Sequence, residues 1–254
     1  MPCGCSGKVT ARLALLVPGR TACFGTPRIV SSEPRIARLG TKTDPPASAG
    51  GDIPPLPLSE GMEPLLLAED AYAGKPNPHA WMSPQAAQIY VDRLVEAFSA
   101  LDPQGAKEYE ANGQAYKAQL QQLDAELRDS LQALPPGQRL LVTCEGAFSY
   151  LARDYGLEEA YLWPVNAESQ ISPRRMARLI DRVKRDQVPA VFCETTVSDK
   201  AQREVARAAG SRFGGSFYVD SLSDSNGPAA TLLDLQRHNV KLIRAGLGLS
   251  LIHI

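Results

Sequence analysis

From residue 84 onward the apolar positions recur at helical spacing. Ser83 and Pro84 supply an N-cap and a first-turn proline, and Ile89, Val91, Leu94, Val95 and Phe98 carry the pattern to Leu101. Asp102-Pro103 announces a second helix in the same way. Along it Tyr109, Tyr116, Leu120, Leu123, Leu127, Leu131 and Leu134 draw one apolar stripe until Pro135-Pro136-Gly137 stops it. The spacing therefore predicts a long helix over 102–135, interrupted at Gly113; at about 1.5 Å per residue it would be a rod of roughly 48 Å. Such a rod is long enough to brace two lobes. Beyond Gly137, β-rich runs at 139–144, 160–163, 189–193 and 213–219 alternate with helical patterns at 146–155, 173–186, 199–209 and 227–246. That alternation predicts an α/β fold with a parallel sheet covered by helices on both faces. In open sheets of this kind ligands bind beyond the carboxyl ends of the strands, so polar residues just after strands become the candidates for function.

Composition changes the picture mainly at the N-terminal end. Of the 20 prolines, 13 lie within residues 1–84, and proline at that density excludes regular helices and central strands. Residues 1–60 are accordingly read as irregular. Leu13-Ala14-Leu15-Leu16-Val17 is closed by Pro18-Gly19-Arg20 too soon for a recognisable export signal. Basic and acidic side chains number 27 and 28, a formal net charge of −1, which gives no electrostatic reason to bind nucleic acid. No run approaches the roughly 18 apolar residues of a membrane-spanning helix.

The chain has five cysteines. Cys3, Cys5 and Cys23 lack the second Cys or His pair that a structural zinc site requires. Cys144 and Cys193 fall inside strand patterns and are read as free, buried and chemically silent.

Three strand ends carry a carboxylate. Leu140-Leu141-Val142-Thr143-Cys144 runs into Glu145, placed where a helix is expected to begin; Ser216-Phe217-Tyr218-Val219 runs into Asp220; and Val191-Phe192-Cys193 runs into Glu194, ranked lower as a supporting or capping group. Taken singly, each is as readily a helix cap or loop carboxylate. Of the three histidines, His79 stands in a rigid loop, Asn77-Pro78-His79-Ala80-Trp81-Met82-Ser83-Pro84, at the mouth of the first long helix. His238, within the last helix, and His253, in the tail, are read as structural or incidental. One imidazole with two carboxylates is a reasonable donor set for a divalent transition metal, and the oxygens favour manganese or iron. No Gly-x-Ser-x-Gly elbow, Walker-type loop or His-Glu-x-x-His pair competes.

Three ordered segments then carry a resemblance: Gly74-Lys75-Pro76-Asn77-Pro78-His79-Ala80-Trp81-Met82-Ser83-Pro84, Leu141-Val142-Thr143-Cys144-Glu145-Gly146-Ala147-Phe148, and Tyr218-Val219-Asp220-Ser221-Leu222-Ser223. From about Gly61 to Leu247 the chain resembles the metal-binding substrate-binding proteins of bacterial manganese, iron and zinc ABC transporters. Its nearest likeness is to their manganese/iron branch, because a Glu stands at 145 where zinc-binding relatives place His. Leu162-Trp163-Pro164-Val165-Asn166-Ala167-Glu168 and Glu194-Thr195-Thr196-Val197-Ser198 fit as well.

The resemblance implies two α/β lobes joined by a long helix, with the metal held between them. On this reading residues 61–101 are a remnant of the N-terminal lobe, 102–135 the linker helix, 136–247 the metal-binding C-terminal lobe and 248–254 a tail. His79, Glu145 and Asp220 are the implied ligands. The family's first ligand, a His in the N-terminal lobe, has no counterpart before position 79, so the expectation is a truncated or replaced N-terminal lobe. The implied function is capture of manganese or ferrous iron, with zinc ranked below them, outside the cytoplasm at the periplasm or cell surface. The implied partner is a membrane permease, and the chain is expected to be a monomer and not an enzyme. Two rival readings remain: a metal-dependent hydrolase with water on the open coordination position, and a nonfunctional fragment folded around an empty site.

Overall fold

A computed structural model of the chain describes residues 56–68, 72–165 and 171–248. Most of the proline-rich 1–60 segment, the three N-terminal cysteines, the Asn166–Glu168 part of one motif, and His253 with most of the tail lie outside the described residues. Among these residues six α-helices follow in chain order: α1 (Pro84–Leu101), α2 (Ala106–Gln132), α3 (Ser149–Tyr155), α4 (Pro173–Arg185), α5 (Lys200–Ala209) and α6 (Leu232–Gly246). Four strands are interleaved: β1 (Leu140–Glu145), β2 (Glu158–Trp163), β3 (Ala190–Glu194) and β4 (Arg212–Phe217).

The expected alternation is present, with its boundaries moved for local reasons. Asp102 does not open α2. Its N–H bonds to the Phe98 carbonyl and so closes α1, and a tight turn to Gly105 delays the next helix. α2 is 27 residues long, or about 40 Å. The last helix starts at Leu232 rather than 227, because the Thr231 side chain accepts the Asp234 N–H and fixes the cap there. α3 starts at Ser149 rather than 146, so Glu145 lies four residues upstream of it and does not cap it.

Gly113 does not interrupt α2 either. A side-chain carbon at that position would collide with Val95 of α1, so the glycine allows α1 and α2 to approach closely. On its buried stripe Leu120, Leu123, Leu127 and Leu131 are at most 1% exposed, and α2 packs against α1, α3 and α6. It is part of the core, not a solvated rod.

The strands form two parallel ladders, β1 with β2 and β3 with β4. β1 and β3 are their adjoining edges, joined by a disulfide between Cys144 and Cys193 whose Cα atoms are 4.8 Å apart, the spacing of neighbouring strands. This corrects the reading of both cysteines as free thiols. Two residues 49 apart in sequence cannot announce that their strands lie side by side. The resulting order β2-β1-β3-β4 reverses direction between β1 and β3. Right-handed crossovers then put α3 and α5 on opposite faces: α4 packs with α5 on one, while α3 and α6 lie with α2 on the other. Phe192 stacks on Phe217 with ring centres 4.6 Å apart at the centre of the core. Among the described residues no helix is long and apolar enough to cross a membrane.

A cross-link closing a loop of this size mainly restricts the unfolded chain and stabilises by about 2 to 4 kcal/mol. The Cys144→Ala/Cys193→Ala variant is expected to lose that much in denaturant unfolding, and a reducing agent should lower the wild-type midpoint but not the variant's.

Candidate metal centre

The crevice beyond the carboxyl ends of β1 and β3, where the strand order reverses, is the position at which open α/β sheets bind ligands. Glu145 is the last residue of β1, and its side chain is 5% exposed. Asp220 follows β4 by three residues and is 40% exposed at its side chain. His79 comes from outside the sheet, capping the short 3-10 turn Ala80–Met82 that leads into α1, and its side chain is 3% exposed. The structure brings all three together: His79 Nε2 lies 3.8 Å from Glu145 Oε1 and 3.9 Å from Asp220 Oδ1. One donor atom from each residue lies within 4.8 Å of the others. At those separations His79 Nε2 is not hydrogen-bonded to either carboxylate, and a cation would sit between the three donor atoms.

Burial pushes the His79 ring down to about 3, so it is neutral near pH 7. Its Nδ1 is 2.9 Å from Asn77 Oδ1, and the same oxygen accepts the His79 backbone N–H at 3.0 Å. Trp81 braces the other side: its ring meets the His79 ring edge-on at 5.3 Å, and its indole N–H donates to the Val219 carbonyl, next to Asp220. Gln236 of α6 in turn donates to the Trp81 carbonyl at 2.7 Å. The loops bearing His79 and Asp220 are thus tied to each other without passing through the sheet.

Glu194, the lower-ranked candidate, supports Glu145. Its Oε2 accepts the Glu145 backbone N–H at 3.2 Å, while Oε1 has no hydrogen-bond partner among the described residues. Burial, and then the neighbouring Glu145 charge, raise its carboxyl well above the usual range. Cys144, Cys193 and Glu194 also cluster, but the disulfide removes both sulfurs as donors. His238 packs edge-on against Tyr218 at 5.4 Å, in keeping with a structural role.

Sequence reasoning missed Asn77, Trp81 and a half-buried carboxylate, Glu159. The missed signal at Asn77 was the bond of an Asn side chain to the backbone two residues on, a habitual turn interaction. Glu159 accepts from Phe148 N–H at 2.8 Å and Ser149 Oγ–H at 2.6 Å. Its burial pushes its carboxyl up to about 7, against the pull of those two bonds.

Comparison with known proteins places this geometry in context. Residues 39–246 match the family model described as zinc-uptake complex component A, periplasmic, beginning upstream of Gly61, where the recognisable motifs start. The chain is 45% identical over 197 residues to the iron-binding protein YfeA of Yersinia pestis, covering 78% of this chain and 63% of that one. It is 29% identical over 191 residues to the manganese ABC transporter substrate-binding lipoprotein PsaA of Streptococcus mitis, covering 75% and 62%. The chain therefore spans somewhat less than two thirds of these relatives. Among solved structures, the Mn-bound periplasmic metal-binding protein of Candidatus Liberibacter asiaticus superposes with a TM-score of 0.71 at 37% identity, covering 76% of this chain and 71% of that one. The periplasmic zinc-binding protein TroA of Treponema pallidum gives 0.68 at 29%, covering 75% and 69%.

The folded chain holds a proton on His79 less tightly than the unfolded chain does. Between about pH 3 and 6.5 the folded state therefore binds fewer protons, and stability conferred by the neutral ring is lost on acidification. In metal-free protein, His79→Gln is expected to lose less stability than wild type between pH 6.5 and about pH 4. Equal pH slopes in denaturant titrations would contradict a buried neutral ring.

Proposed function

Since the chain belongs to the family of the periplasmic zinc-uptake component A, we propose that it captures a divalent transition metal outside the cytoplasm and delivers it to a membrane permease. The observation that carries this reading is the convergence of one buried imidazole and two carboxylates at the reversal point of the sheet. The ion is cargo. His79 contributes a neutral nitrogen, and Glu145 and Asp220 contribute two negative charges that match a dication. A nitrogen with two oxygens suits manganese or ferrous iron, with zinc ranked below them for want of softer donors. The relatives above include an iron-binding protein and a manganese transporter's substrate-binding lipoprotein, in line with that preference.

The path of the ion follows from exposure. Glu145 and His79 are closed off from solvent, whereas the Asp220 side chain is 40% exposed. Metal enters past Asp220 and is gripped by the two buried donors. The Cys144–Cys193 disulfide supports a location outside the cytoplasm, since such bonds persist in oxidising compartments and are rare in reducing ones. The reading is of a binding site rather than a catalytic one: Glu194, the further carboxylate at this strand edge, is held at one oxygen by the Glu145 backbone N–H.

Thermal unfolding with and without Mn2+, Fe2+ and Zn2+ tests the reading, because a ligand of the folded state raises its stability by mass action. The wild type is expected to gain several degrees with Mn2+ or Fe2+, and Glu145→Ala and Asp220→Ala to lose that gain. An undiminished metal-dependent rise in both variants would overturn the assignment.

A further inference from the structure

Asn77 is 3% exposed, and its side chain touches the surroundings of both buried ligands. Its Oδ1 faces the backbone N–H and Nδ1 of His79, at 3.0 and 2.9 Å. Its Nδ2 donates to the Gly146 carbonyl at 2.7 Å and to Ser149 Oγ at 3.1 Å. Gly146 is the residue after Glu145. The Asn77 carbonyl accepts from Tyr150 Oη–H at 2.9 Å, and that hydroxyl receives the Leu65 N–H.

The orientation of this amide follows from its backbone partners. A backbone carbonyl can only accept, so the nitrogen must face Gly146; a backbone N–H can only donate, so the oxygen must face His79. An oxygen at that place leaves Nδ1 one role, as donor. In a neutral ring the proton then sits on Nδ1, and the lone pair sits on Nε2, the atom facing Glu145 and Asp220. The chain of donors continues outward. Ser149 Oγ receives a hydrogen from Asn77, so its own hydrogen goes to Glu159 Oε2, and Glu159 Oε1 takes the Phe148 N–H. In its ionised form Glu159 on β2 only accepts, and it then ends a one-way chain that begins at the ligand ring.

We propose that Asn77 is a positioning residue that fixes the tautomer of His79 and its separation from Glu145, with Ser149 and Glu159 as its backing. The effect on metal affinity rests on the metal-capture reading; the tautomer does not. Groups that orient a ligand ring through its second nitrogen typically account for 10- to 100-fold in affinity when removed. Glu159 acts one step further out. It holds Ser149 and the first turn of α3 against the segment that Asn77 grips, without touching His79.

Two measurements at pH 8 test this. Nitrogen-proton NMR of the His79 ring in metal-free wild type should show the Nδ1–H form, and finding the Nε2–H form would overturn the proposal whether or not metal binds. Mn2+ titration of Asn77→Ala, Asn77→Asp and Glu159→Gln gives the second readout. Asn77→Ala should show mixed tautomers and a Kd weakened by about 10- to 100-fold. Asn77→Asp keeps the acceptor for His79 but turns an acceptor toward the Gly146 carbonyl, so it should keep the tautomer and still bind weakly. Glu159→Gln should keep the tautomer with a smaller, several-fold loss. A folded Asn77→Ala protein with wild-type tautomer and Kd would overturn the proposal. A wild type that shows Nδ1–H yet binds no metal would sink the capture reading and leave the tautomer assignment standing.

Discussion

Everything at the site depends on β1 and β3 lying side by side. The two ladders are separate as hydrogen-bonded sheets, and their adjoining edges are closed by the Cys144–Cys193 bond one residue short of each strand's end. That places the Glu145 backbone against the Glu194 side chain and opens the crevice into which His79 and Asp220 are brought. A covalent link here does what a ladder does elsewhere. Its effect is concentrated at the carboxyl edge, where a small shift between strands would move one ligand relative to the others.

Burial divides the labour among the three donors. A neutral imidazole can be taken out of water at modest cost once its Nδ1 proton has a partner, which Asn77 supplies. A buried carboxylate is more costly, and Glu145 is taken in where a dication would balance it. Asp220 keeps contact with water. The site is thus preformed on two sides and open on the third, a geometry that suits reversible capture better than permanent retention.

Much of this was legible in the amino-acid sequence, because the strands are buried and the helices amphipathic. Leu140–Glu145 and Ala190–Glu194 are buried at every position, so they stand out as unbroken runs, and their ends led directly to Glu145 and Glu194. The boundaries were harder. Asp102-Pro103 has the composition of a helix start, yet its backbone closes the preceding helix, a matter of backbone angle that composition does not encode. Gly113 reads as a defect along α2 until Val95 of α1 is seen against it. The disulfide and the grip of Asn77 on Gly146 and Ser149 are invisible for one shared reason: each joins residues far apart in the chain, and their pairing exists only after folding.

The chain contains two tryptophans, Trp81 and Trp163. Trp163 is buried in the core, while Trp81 lies edge-on against His79 and donates its indole hydrogen beside Asp220. An indole's emission responds to the polarity and charge at its ring and its N–H, and Trp81 has His79 at its ring and, at its N–H, the carbonyl of the residue before Asp220. The fold has therefore set a native fluorophore at the mouth of the crevice, where intrinsic emission can report occupancy of the site in unlabelled protein.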